Sequence, residues 1–325
     1  MEQVLGIGNA LVDVIIKLNN DNLLKDFYLP KGSMQLVDAA TATNIEKACA
    51  DLSRSMASGG SAANTIHGLA RLGVATGFIG TVGRDEFGKF FHDDMFRAGI
   101  NPVLSRSNTE TGRAISLVST DSERTFATFL GAAVEISEKD LQDISFNHYD
   151  ILHVEGYLAP LQVLFETAMI RAKQLHMKVS LDLASYNVVE SNLGFLQKMM
   201  AAYVDIVFAN EEEAKAYTGS EDPLDALHEL ARVADIAVVK TGKKGSLIQQ
   251  GNNVYPIGIT PAKSVDTTGA GDLYAAGFLF GLIKGFSLEK CGNIGALLAA
   301  NVIEEPGAKI SETRWETIHQ RLKAL

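Results

Sequence analysis

Residues 265–272 carry the strongest chemical signal in the chain. They read VDTTGAGD and lead into LYAAGFLFGLIKG, an apolar stretch with the small residues of a buried helix. A loop that becomes a helix presents free backbone N–H groups and the positive end of the helix dipole, and both attract anions. A carboxylate at this place repels an anion, so we interpret Asp272 as a base that takes a proton from a hydroxyl attacking a phosphoryl group. The alternative is a glycine-rich turn in which Asp272 only caps the helix.

The composition limits the classes of partner. The chain has 325 residues, of which 46% are hydrophobic and 21% charged, and its formal net charge is -10. An acidic chain lacks the electrostatic footprint of a nucleic-acid or anionic-membrane binder, so we expect neither partner. ATP would be held by local devices, such as backbone amides, a helix N-terminus, a single arginine or Mg2+.

Cysteine content and the N-terminal residues predict a cytoplasmic protein. The two cysteines, Cys49 and Cys291, are far apart in sequence and make neither a disulfide framework nor a zinc motif. The first residues, MEQVLGIGNALVDVII, lack the basic start of a signal peptide, and no apolar run reaches the length of a membrane span.

The elements that must position the glycine-rich loop alternate between strands and helices. Such alternation predicts βαβ units, a mostly parallel sheet and helices on both of its faces. Strands are predicted at 3–8, 75–83, 150–155, 178–183, 204–209 and 235–240, and helices at 39–54, 86–98, 269–285, 287–304 and 312–324. A further helix is predicted after GGSAAN at 59–64, ending near Leu72-Gly73.

Two β-rich segments interrupt this alternation. Residues 11–18 place Val12, Val14, Ile16 and Leu18 on one face of a strand, and residues 112–131 read as a hairpin around the turn TDSE. We therefore predict two parts, a large α/β domain and a small β-sheet lid. The large domain takes residues 1–9, 39–105 and 132–325, and the lid takes residues 10–38 and 106–131.

Three motifs together resemble the PfkB family of ribokinase-like carbohydrate and nucleoside kinases. DTTGAGD at 266–272 matches the C-terminal signature of the family, GGSAAN at 59–64 matches the N-terminal signature, and NEEE at 210–213 fits its Asn-x-x-Glu motif. They occur in the family's order and cover essentially the whole chain. The resemblance implies a three-layer αβα core with a mostly parallel sheet and a small β-sheet lid.

The resemblance also implies the catalytic groups. In the family, the aspartate that ends the second signature activates the acceptor hydroxyl, and here that residue is Asp272. The amides of Gly269, Ala270 and Gly271 would hold the charge of the transferring phosphoryl group, and Arg124 of the predicted hairpin would reach the phosphates when the lid closes.

The acceptor would lie between the first strand and the lid. Asp13 stands among apolar residues in a predicted strand, and a buried carboxylate needs partners that sugar hydroxyls would supply. By resemblance, Asn9 and Asp13 hold the acceptor, Gly60 lets the backbone approach it, and Asn64 donates from its amide. The full predicted acceptor set is Asn9, Leu11, Asp13, Met34, Gly59, Gly60, Asn64 and Glu155.

The donor nucleotide and the ions are assigned by resemblance alone. Glu213 would hold Mg2+ through water, although NEEE also suits an ordinary acidic helix start. A monovalent cation such as K+ would lie between the loop and residues 303–311, with Asp266, Thr268 and Ser311 as ligands. The predicted ATP contacts are Asn210, Thr241, Gly242, Gly245 and Asn301.

Other chemistries fit less well. Gly6-Ile7-Gly8 follows a strand, but position 11 is Leu and a strand follows, which breaks the dinucleotide-binding fingerprint. The chain also has no GxxxxGK[ST] motif of P-loop kinases. A non-catalytic sugar or nucleoside sensor is a third alternative, but binding alone needs no base at Asp272.

The acceptor has two open alternatives, since a fold does not fix its substrate. The segments GIGNALVDV, KGSMQLVD, SERTFATFLGAAVEIS and EGYL are most similar to the adenosine-kinase-like branch in bacteria. Adenine needs an apolar slot, which Leu11, Met34, Phe126, Phe129 and Tyr157 would supply. Glu155 suits sugar hydroxyls equally well, so ribose, fructose or 2-keto-3-deoxygluconate remain candidate acceptors. A monomer and a lid-mediated homodimer are both compatible with this reading.

Overall fold

The computed structural model describes residues 3–142 and 144–323, which form two β-sheets and the helices around them. The strands are β1 (Gln3–Ile7), β2 (Leu11–Lys17), β3 (Met34–Leu36), β4 (Arg54–Gly59), β5 (Ala75–Gly83), β6 (Ile100–Ser107), β7 (Gly112–Val118), β8 (Arg124–Phe129), β9 (Ile151–Glu155), β10 (Lys178–Asp182), β11 (Ile206–Asn210), β12 (Ile236–Lys240), β13 (Ser246–Gln250) and β14 (Asn253–Ile257). The helices are α1 (Asn22–Asp26), α2 (Ala39–Ala48), α3 (Ser61–Arg71), α4 (Glu86–Arg97), α5 (Gln162–Gln174), α6 (Tyr186–Ser191), α7 (Leu193–Tyr203), α8 (Glu211–Thr218), α9 (Pro223–Leu230), α10 (Ala270–Ile283), α11 (Leu288–Val302) and α12 (Glu312–Lys323).

The larger sheet has nine strands in the order β14-β13-β12-β11-β10-β9-β1-β5-β6. The strands from β12 to β6 run parallel, whereas β13 and β14 add an antiparallel edge. Both faces are covered, because successive residues of one strand enter different apolar cores. In β1, Val4 belongs to the core that includes buried residues of α3, α10 and α11, while Leu5 belongs to the core that includes buried residues of α5 and α7. This is the predicted three-layer arrangement, with the sheet between two helical layers.

The small sheet has five strands in the order β3-β8-β7-β2-β4. Along β2, Val12, Val14 and Ile16 are buried and pack with α2, as the alternation of the sequence predicts. The intervening residues Leu11, Asp13 and Ile15 are half-buried. This second face of the small sheet looks toward the larger domain, because a Cβ on Gly307 would lie 2.8 Å from Cδ1 of Ile15.

Most of the predicted strands and helices are confirmed, including the antiparallel hairpin of β7 and β8. The helix predicted for 39–54 is wrong at its end, because α2 stops at Ala48 and residues 54–59 form β4. This strand pairs with β2 in the small sheet, although residues 39–105 were predicted to belong to the large domain. Residues 49–58 contain no Gly or Pro to end a helix, and β4 is a mostly exposed edge strand without an apolar alternation.

Some predicted boundaries extend beyond the described part of the chain. Residues 1–2 and 325 of the predicted large domain, and residue 324 of the predicted last helix, lie outside it, as does residue 143. Within the described residues, no helix is long and apolar enough to cross a bilayer.

The pairing of α10 with α11 gives a test of the fold. A Cβ on Gly277 would lie 2.7 Å from the carbonyl oxygen of Ile294 and 2.9 Å from Cα of Gly295. We expect Gly277→Ala to force the helices apart and to lower the free energy of unfolding by about 1–3 kcal/mol, measured by urea denaturation. Gly194→Ala in α7 is the control, because its Cβ would meet no atom within 4 Å. An equal loss in both variants would contradict this account of the helix pair.

Candidate active site

The glycine-rich loop forms the N-terminus of α10. Gly269 is the N-cap residue in the left-handed conformation, with φ 75°, and the helix begins at Ala270. A Cβ on Gly269 would lie 2.6 Å from Cβ of Ala308, so only glycine allows this close approach of the two loops. The first-turn amides of α10 lack carbonyl partners within the helix and are therefore suited to an anion, except that the N–H of Ala270 donates to the carbonyl oxygen of Thr267 at 3.2 Å.

Asp272 is held in one orientation by the N-terminal turn of α3. The Oγ of Ser61 donates to Oδ1 of Asp272 at 2.8 Å, and the Nδ2 of Asn64 donates to Oδ2 at 2.9 Å. The hydroxyl of Thr65 donates to the backbone carbonyl of Asp272 at 3.1 Å. The two predicted signatures therefore meet in space, and Asn64 contacts the predicted base, whereas the sequence predicted that its amide binds the acceptor.

The ionisation of Asp272 reflects this setting. Burial raises the pKa of Asp272 to about 6, and the negative charge of Asp182 adds to the rise. The hydrogen bonds from Asn64 and Ser61 favour the ionised form and therefore oppose the rise in pKa. The carboxylate is thus ionised at neutral pH, yet it is a stronger base than an exposed aspartate.

The glycines at 59 and 60 let three chain segments converge. A Cβ on Gly60, which has φ 104°, would lie 2.1 Å from the carbonyl oxygen of Asn9, and a Cβ on Gly59 would lie 2.3 Å from the carboxylate of Asp13. Any side chain at either position would therefore displace Asn9 or Asp13. These glycines hold the two predicted acceptor residues next to the N-terminus of α3.

Asp13 is a half-buried carboxylate on the face of the small sheet that looks toward α10. Burial raises its pKa to about 7, the Lys309 amine opposes the rise, and the charge of Asp272 adds to it. Hydrogen-bond donors would stabilise the charged form of this carboxylate, and sugar hydroxyls are such donors.

Glu155 does not lie where an acceptor would contact it. Its side chain is 0% exposed. Oε1 accepts from the backbone and side-chain nitrogens of Asn9 at 2.8 and 2.7 Å, and Oε2 accepts from the Ala62 amide at 2.9 Å. Glu155 therefore joins the ends of β1 and β9 to the start of α3, which corrects its predicted contact with sugar hydroxyls.

Arg124 lies at the start of β8, on the same face of the small sheet as Asp13. Its Nη1 lies 2.8 Å from Oδ2 of Asp266, and the exposed fractions of the two side chains are 10% and 3%. This nitrogen also donates to Oγ of Ser116 at 3.4 Å. The guanidinium thus contacts the loop that the sequence assigned to phosphate and cation binding, and its predicted contact with the phosphates stays a prediction.

The residues assigned to a monovalent cation do not fit one in this structure. Asp266 accepts from the backbone and hydroxyl of Thr268, from the Gly307 amide and from Arg124. Ser311 donates its hydroxyl to Glu305 at 2.6 Å. The donors around Asp266 are those of the protein itself, and they include a fixed positive charge.

A cluster of charged residues that the sequence analysis missed lies on the other side of the loop. The Nζ of Lys240, at the end of β12, donates to Oδ2 of Asp182 at 2.9 Å. A Cβ on Gly271 would lie 3.0 Å from this Nζ, so the amine lies against the predicted anion loop. Burial by itself lowers the pKa of Lys240, but Asp182 and Glu213 raise it above its usual range, so the amine is an ammonium ion.

Glu213 and Asn210 form a capping box at the start of α8. The side chain of Asn210 accepts from the Glu213 amide at 2.8 Å, while the backbone and side-chain nitrogens of Asn210 donate to the Glu213 carboxylate at 2.8 and 2.7 Å. Burial raises the pKa of Glu213 to about 7, and Lys240 opposes the rise. The motif is thus a helix start, and it also places a carboxylate next to Lys240 and Asp182.

The remaining residues predicted to bind ATP lie in the turn after β12 and in α11. Thr241, Gly242 and Gly245 form the turn between β12 and β13, where Gly245 has φ 100° and a Cβ would lie 2.0 Å from the carbonyl oxygen of Ile257. Asn301 is near the end of α11, and its Nδ2 donates to the Leu297 carbonyl of its own helix at 2.8 Å. Their contacts with the nucleotide stay predictions.

The predicted apolar slot is only partly formed by the predicted residues. The register places Ile15, Ser116, Phe126 and Met34 in one row across the small sheet, on the face that carries Asp13. Leu36 lies in the next row of the same face, opposite Thr128. Phe129 is on the other face, where the Arg113 guanidinium lies 5.4 Å from its ring centroid, so its assignment to the slot is wrong.

The missed residues share a simple explanation. Asp182, Lys240 and Lys309 are single charged residues outside any recognised motif, and each has its charge partners far away in the sequence. Asp182 and Lys240 end short apolar strands, and a charge at the carboxyl end of a parallel strand is the signal that would have identified them. No comparable signal marks Lys309.

Comparison with known proteins agrees with this geometry. The family model described as pfkB family carbohydrate kinase matches residues 34–315. A solved structure of a probable sugar kinase from Rhizobium etli has 33% identity and a TM-score of 0.88, over 98% of each chain. The adenosine kinase from Sinorhizobium meliloti has 34% identity and a TM-score of 0.87, over 98% of this chain and 99% of that one. A nucleoside kinase of Methanocaldococcus jannaschii is 28% identical over 99% of this chain and 97% of its own length.

The hydrogen bonds on Asp272 predict the pH dependence of turnover. If Asp272 must be ionised to accept a proton, kcat/KM should fall as the pH drops through about 6. Asn64→Ala removes a donor that favours the ionised form, so we expect the acidic limb of the pH–rate profile to move up by about one unit.

Thr65→Val is the matched control for this measurement. Thr65 donates to the backbone carbonyl of Asp272 and not to its carboxylate, so its loss should leave the position of the acidic limb unchanged. An unshifted limb in Asn64→Ala, or an equal shift in both variants, would show that another group sets the profile.

Proposed function

This chain belongs to the pfkB family of carbohydrate kinases, and we propose that it transfers the γ-phosphoryl group of MgATP to the 5′-hydroxyl of adenosine or a similar nucleoside. Members of this family are phosphotransferases that act on hydroxyl acceptors. One observation carries the proposal, the half-buried Asp272 carboxylate, whose pKa is raised to about 6, at the N-terminus of α10. A base and an anion site in direct contact are what the transfer of a phosphoryl group to a hydroxyl requires.

The proposed reaction uses Asp272 and the loop together. Asp272 takes the proton of the acceptor hydroxyl as its oxygen attacks the γ-phosphorus, and the bond to the β-γ bridging oxygen of ATP breaks. The first-turn amides of α10 stabilise the equatorial oxygens of the phosphoryl group. Lys240, beside Gly271, is placed to balance charge on the nucleotide side.

The nucleotide side suits MgATP. Mg2+ keeps most of its waters and prefers carboxylate and phosphate oxygens, so it would reach Asp182 and Glu213 through water. Both carboxylates are buried, and burial raises the pKa of Glu213, so a divalent ion nearby would favour its ionised form. When bound with ATP, Mg2+ neutralises charge on the β- and γ-phosphates. Across the described residues, no group of three or more acidic, histidine or cysteine side chains forms a direct metal cage.

The small sheet supports a nucleoside as the acceptor. Met34 and Leu36 are 55% and 64% exposed on the face that also carries Asp13, and Phe126 of β8 extends this apolar surface from β3 toward the carboxylate. A ribose would bond to Asp13 while its base covers the apolar surface. The Oδ1 atoms of Asn9 and Asn64 are buried without hydrogen-bond partners in the described chain, and ribose hydroxyls would satisfy them.

A sugar acid is the second candidate acceptor, on the evidence of Lys309. Its amine is buried and has no hydrogen-bond partner among residues 3–142 and 144–323. Burial lowers its pKa to about 8, against the opposing charges of Asp94, Asp13 and Asp272. A carboxylate on the acceptor would give this ammonium group a partner of opposite charge, whereas adenosine is neutral.

The first test is an assay of ADP release with MgATP and a panel of acceptors. The panel contains adenosine, inosine, guanosine, ribose, fructose and 2-keto-3-deoxygluconate. Turnover with nucleosides alone supports the proposal, and turnover with 2-keto-3-deoxygluconate alone favours the sugar acid. Asp272→Asn should lower turnover with the best acceptor by about 10²–10⁴ and leave ATP binding intact. Near wild-type turnover in this variant would sink the assignment of the base.

The second test concerns the apolar surface. Met34→Gln places a polar group where the base would stack, so we expect the KM for the nucleoside to rise about 5- to 30-fold while kcat changes little. Met56→Gln is the matched control, because Met56 is 41% exposed but pairs with Val14, on the opposite face of the same sheet. Equal effects of the two substitutions would exclude Met34 from the acceptor site.

A further inference from the structure

The contact between Arg124 and Asp266 is the only ion pair recorded between the small sheet and the loop before α10 in the described chain. Arg124 begins β8, and Asp266 lies three residues before Gly269. The Nη1–Oδ2 distance is 2.8 Å, and both side chains are nine-tenths or more buried. Because the pair is buried and close, it is screened less by solvent than the ion pairs on the protein surface.

The hydrogen-bonding capacity of the Asp266 carboxylate is used within the protein. Oδ1 accepts from the backbone and hydroxyl of Thr268 at 3.0 and 2.7 Å. Oδ2 accepts from the Gly307 amide at 2.5 Å and from Arg124. Two acceptor bonds on each oxygen leave little capacity for a metal ion, and the charge of the carboxylate is already balanced.

The neighbouring oxygens are committed in the same way. The Ile303 carbonyl accepts from the amides of Val265 and Asp266 at 2.7 and 3.1 Å. Ser311 donates both its amide and its hydroxyl to Glu305, whose own charge is balanced by Arg314 at 3.1 Å. The loop region that would surround a monovalent cation is therefore compact, bonded and neutral without one.

We propose that the guanidinium of Arg124 is an internal cation of this loop, and that the protein neither binds nor requires K+ there. The guanidinium supplies the positive charge beside the Asp266 carboxylate and keeps the loop in the conformation that forms the N-terminus of α10. Because Arg124 belongs to the small sheet, this charge reaches the loop only while the sheet lies against the larger domain. Arg124 acts through Asp266 and the loop, so it is a positioning residue.

The first measurement needs no substrate, so its outcome is independent of the proposed acceptor. The melting temperature of the wild-type protein is compared in KCl, LiCl and choline chloride at equal ionic strength. We expect agreement within about 1 °C, because no site discriminates among these cations. A specific rise of about 3 °C or more with K+ would reveal a bound ion and overturn the proposal.

The second measurement replaces the internal cation from outside. Arg124→Ala leaves a cavity of guanidinium size beside a buried, unpaired Asp266, so its melting temperature should fall by several degrees, at about 2–4 °C per kcal/mol. Guanidinium chloride at a low, non-denaturing concentration should recover part of the loss. Urea has nearly the same shape as guanidinium but no charge, so the same concentration of urea should not recover the melting temperature. Recovery by neither compound, or by both equally, would contradict the role of the charge.

Control variants complete the design. Lys31→Met removes another cation of the same β-rich region, one that pairs with Asp21 and Asp121 at the surface, and guanidinium should not stabilise it. Arg124→Lys keeps a charge and should retain most of the wild-type melting temperature. With an active acceptor in hand, turnover of Arg124→Ala should rise at least about threefold with guanidinium and not with urea. This last arm alone rests on the proposed function, and an unchanged turnover would restrict the role of Arg124 to stability.

Discussion

The structure is organised around one half-buried negative charge, that of Asp272, next to the helix amides that we propose to bind the phosphates. Asp272 lies at the N-terminus of α10, in the field of Asp182, and burial already disfavours its ionised form. The compensation is local, since two donors from the first turn of α3 fix its carboxylate and Lys240 lies against the neighbouring Gly271. The closeness of α3 to α10 is therefore a condition for the charge state of the base as well as for packing.

Glycines make this closeness possible, and Glu155 makes it rigid. Gly59 and Gly60 remove the side chains that would separate Asp13 and Asn9 from α3, and Gly269 lets the loop meet Ala308. Glu155 then bonds to Asn9 and to Ala62 from the end of β9. The strands of the larger sheet thus transmit a fixed geometry to the N-terminus of α3, and through Ser61 and Asn64 to the base.

The parts of the site that could be predicted from the sequence are those formed by contiguous residues. The loop at 265–272 and the segment at 59–64 each combine a turn, a helix start and polar side chains within a few residues, so a short stretch of sequence is enough to predict each part of the site. Lys240 and Asp182 lie at the ends of strands, but their pairing, like that of Arg124 with Asp266, joins segments that meet only in the fold, so no contiguous residues predict it. Glu155 was predicted to contact the acceptor, but its side chain is 0% exposed and bonds to Asn9 and Ala62, an outcome that depends on packing and not on a local pattern. The end of α2 was missed because β4 is an edge strand whose burial pattern lacks alternation.

The residues of the candidate site are divided between the larger domain and the small sheet. The donors that hold Asp272 all belong to the larger domain, whereas Asp13 and Arg124 belong to the small sheet. Separating the sheets would leave the base in place but would remove Asp13 and the cation of the loop together. The site is therefore complete only when the small sheet lies against the larger domain, because Asp13 and Arg124 reach the site of Asp272 together. With the sheets apart, a bound nucleotide would face Asp272 without Asp13 and without the positive charge of Arg124, so the incomplete site would disfavour transfer of the phosphoryl group to water.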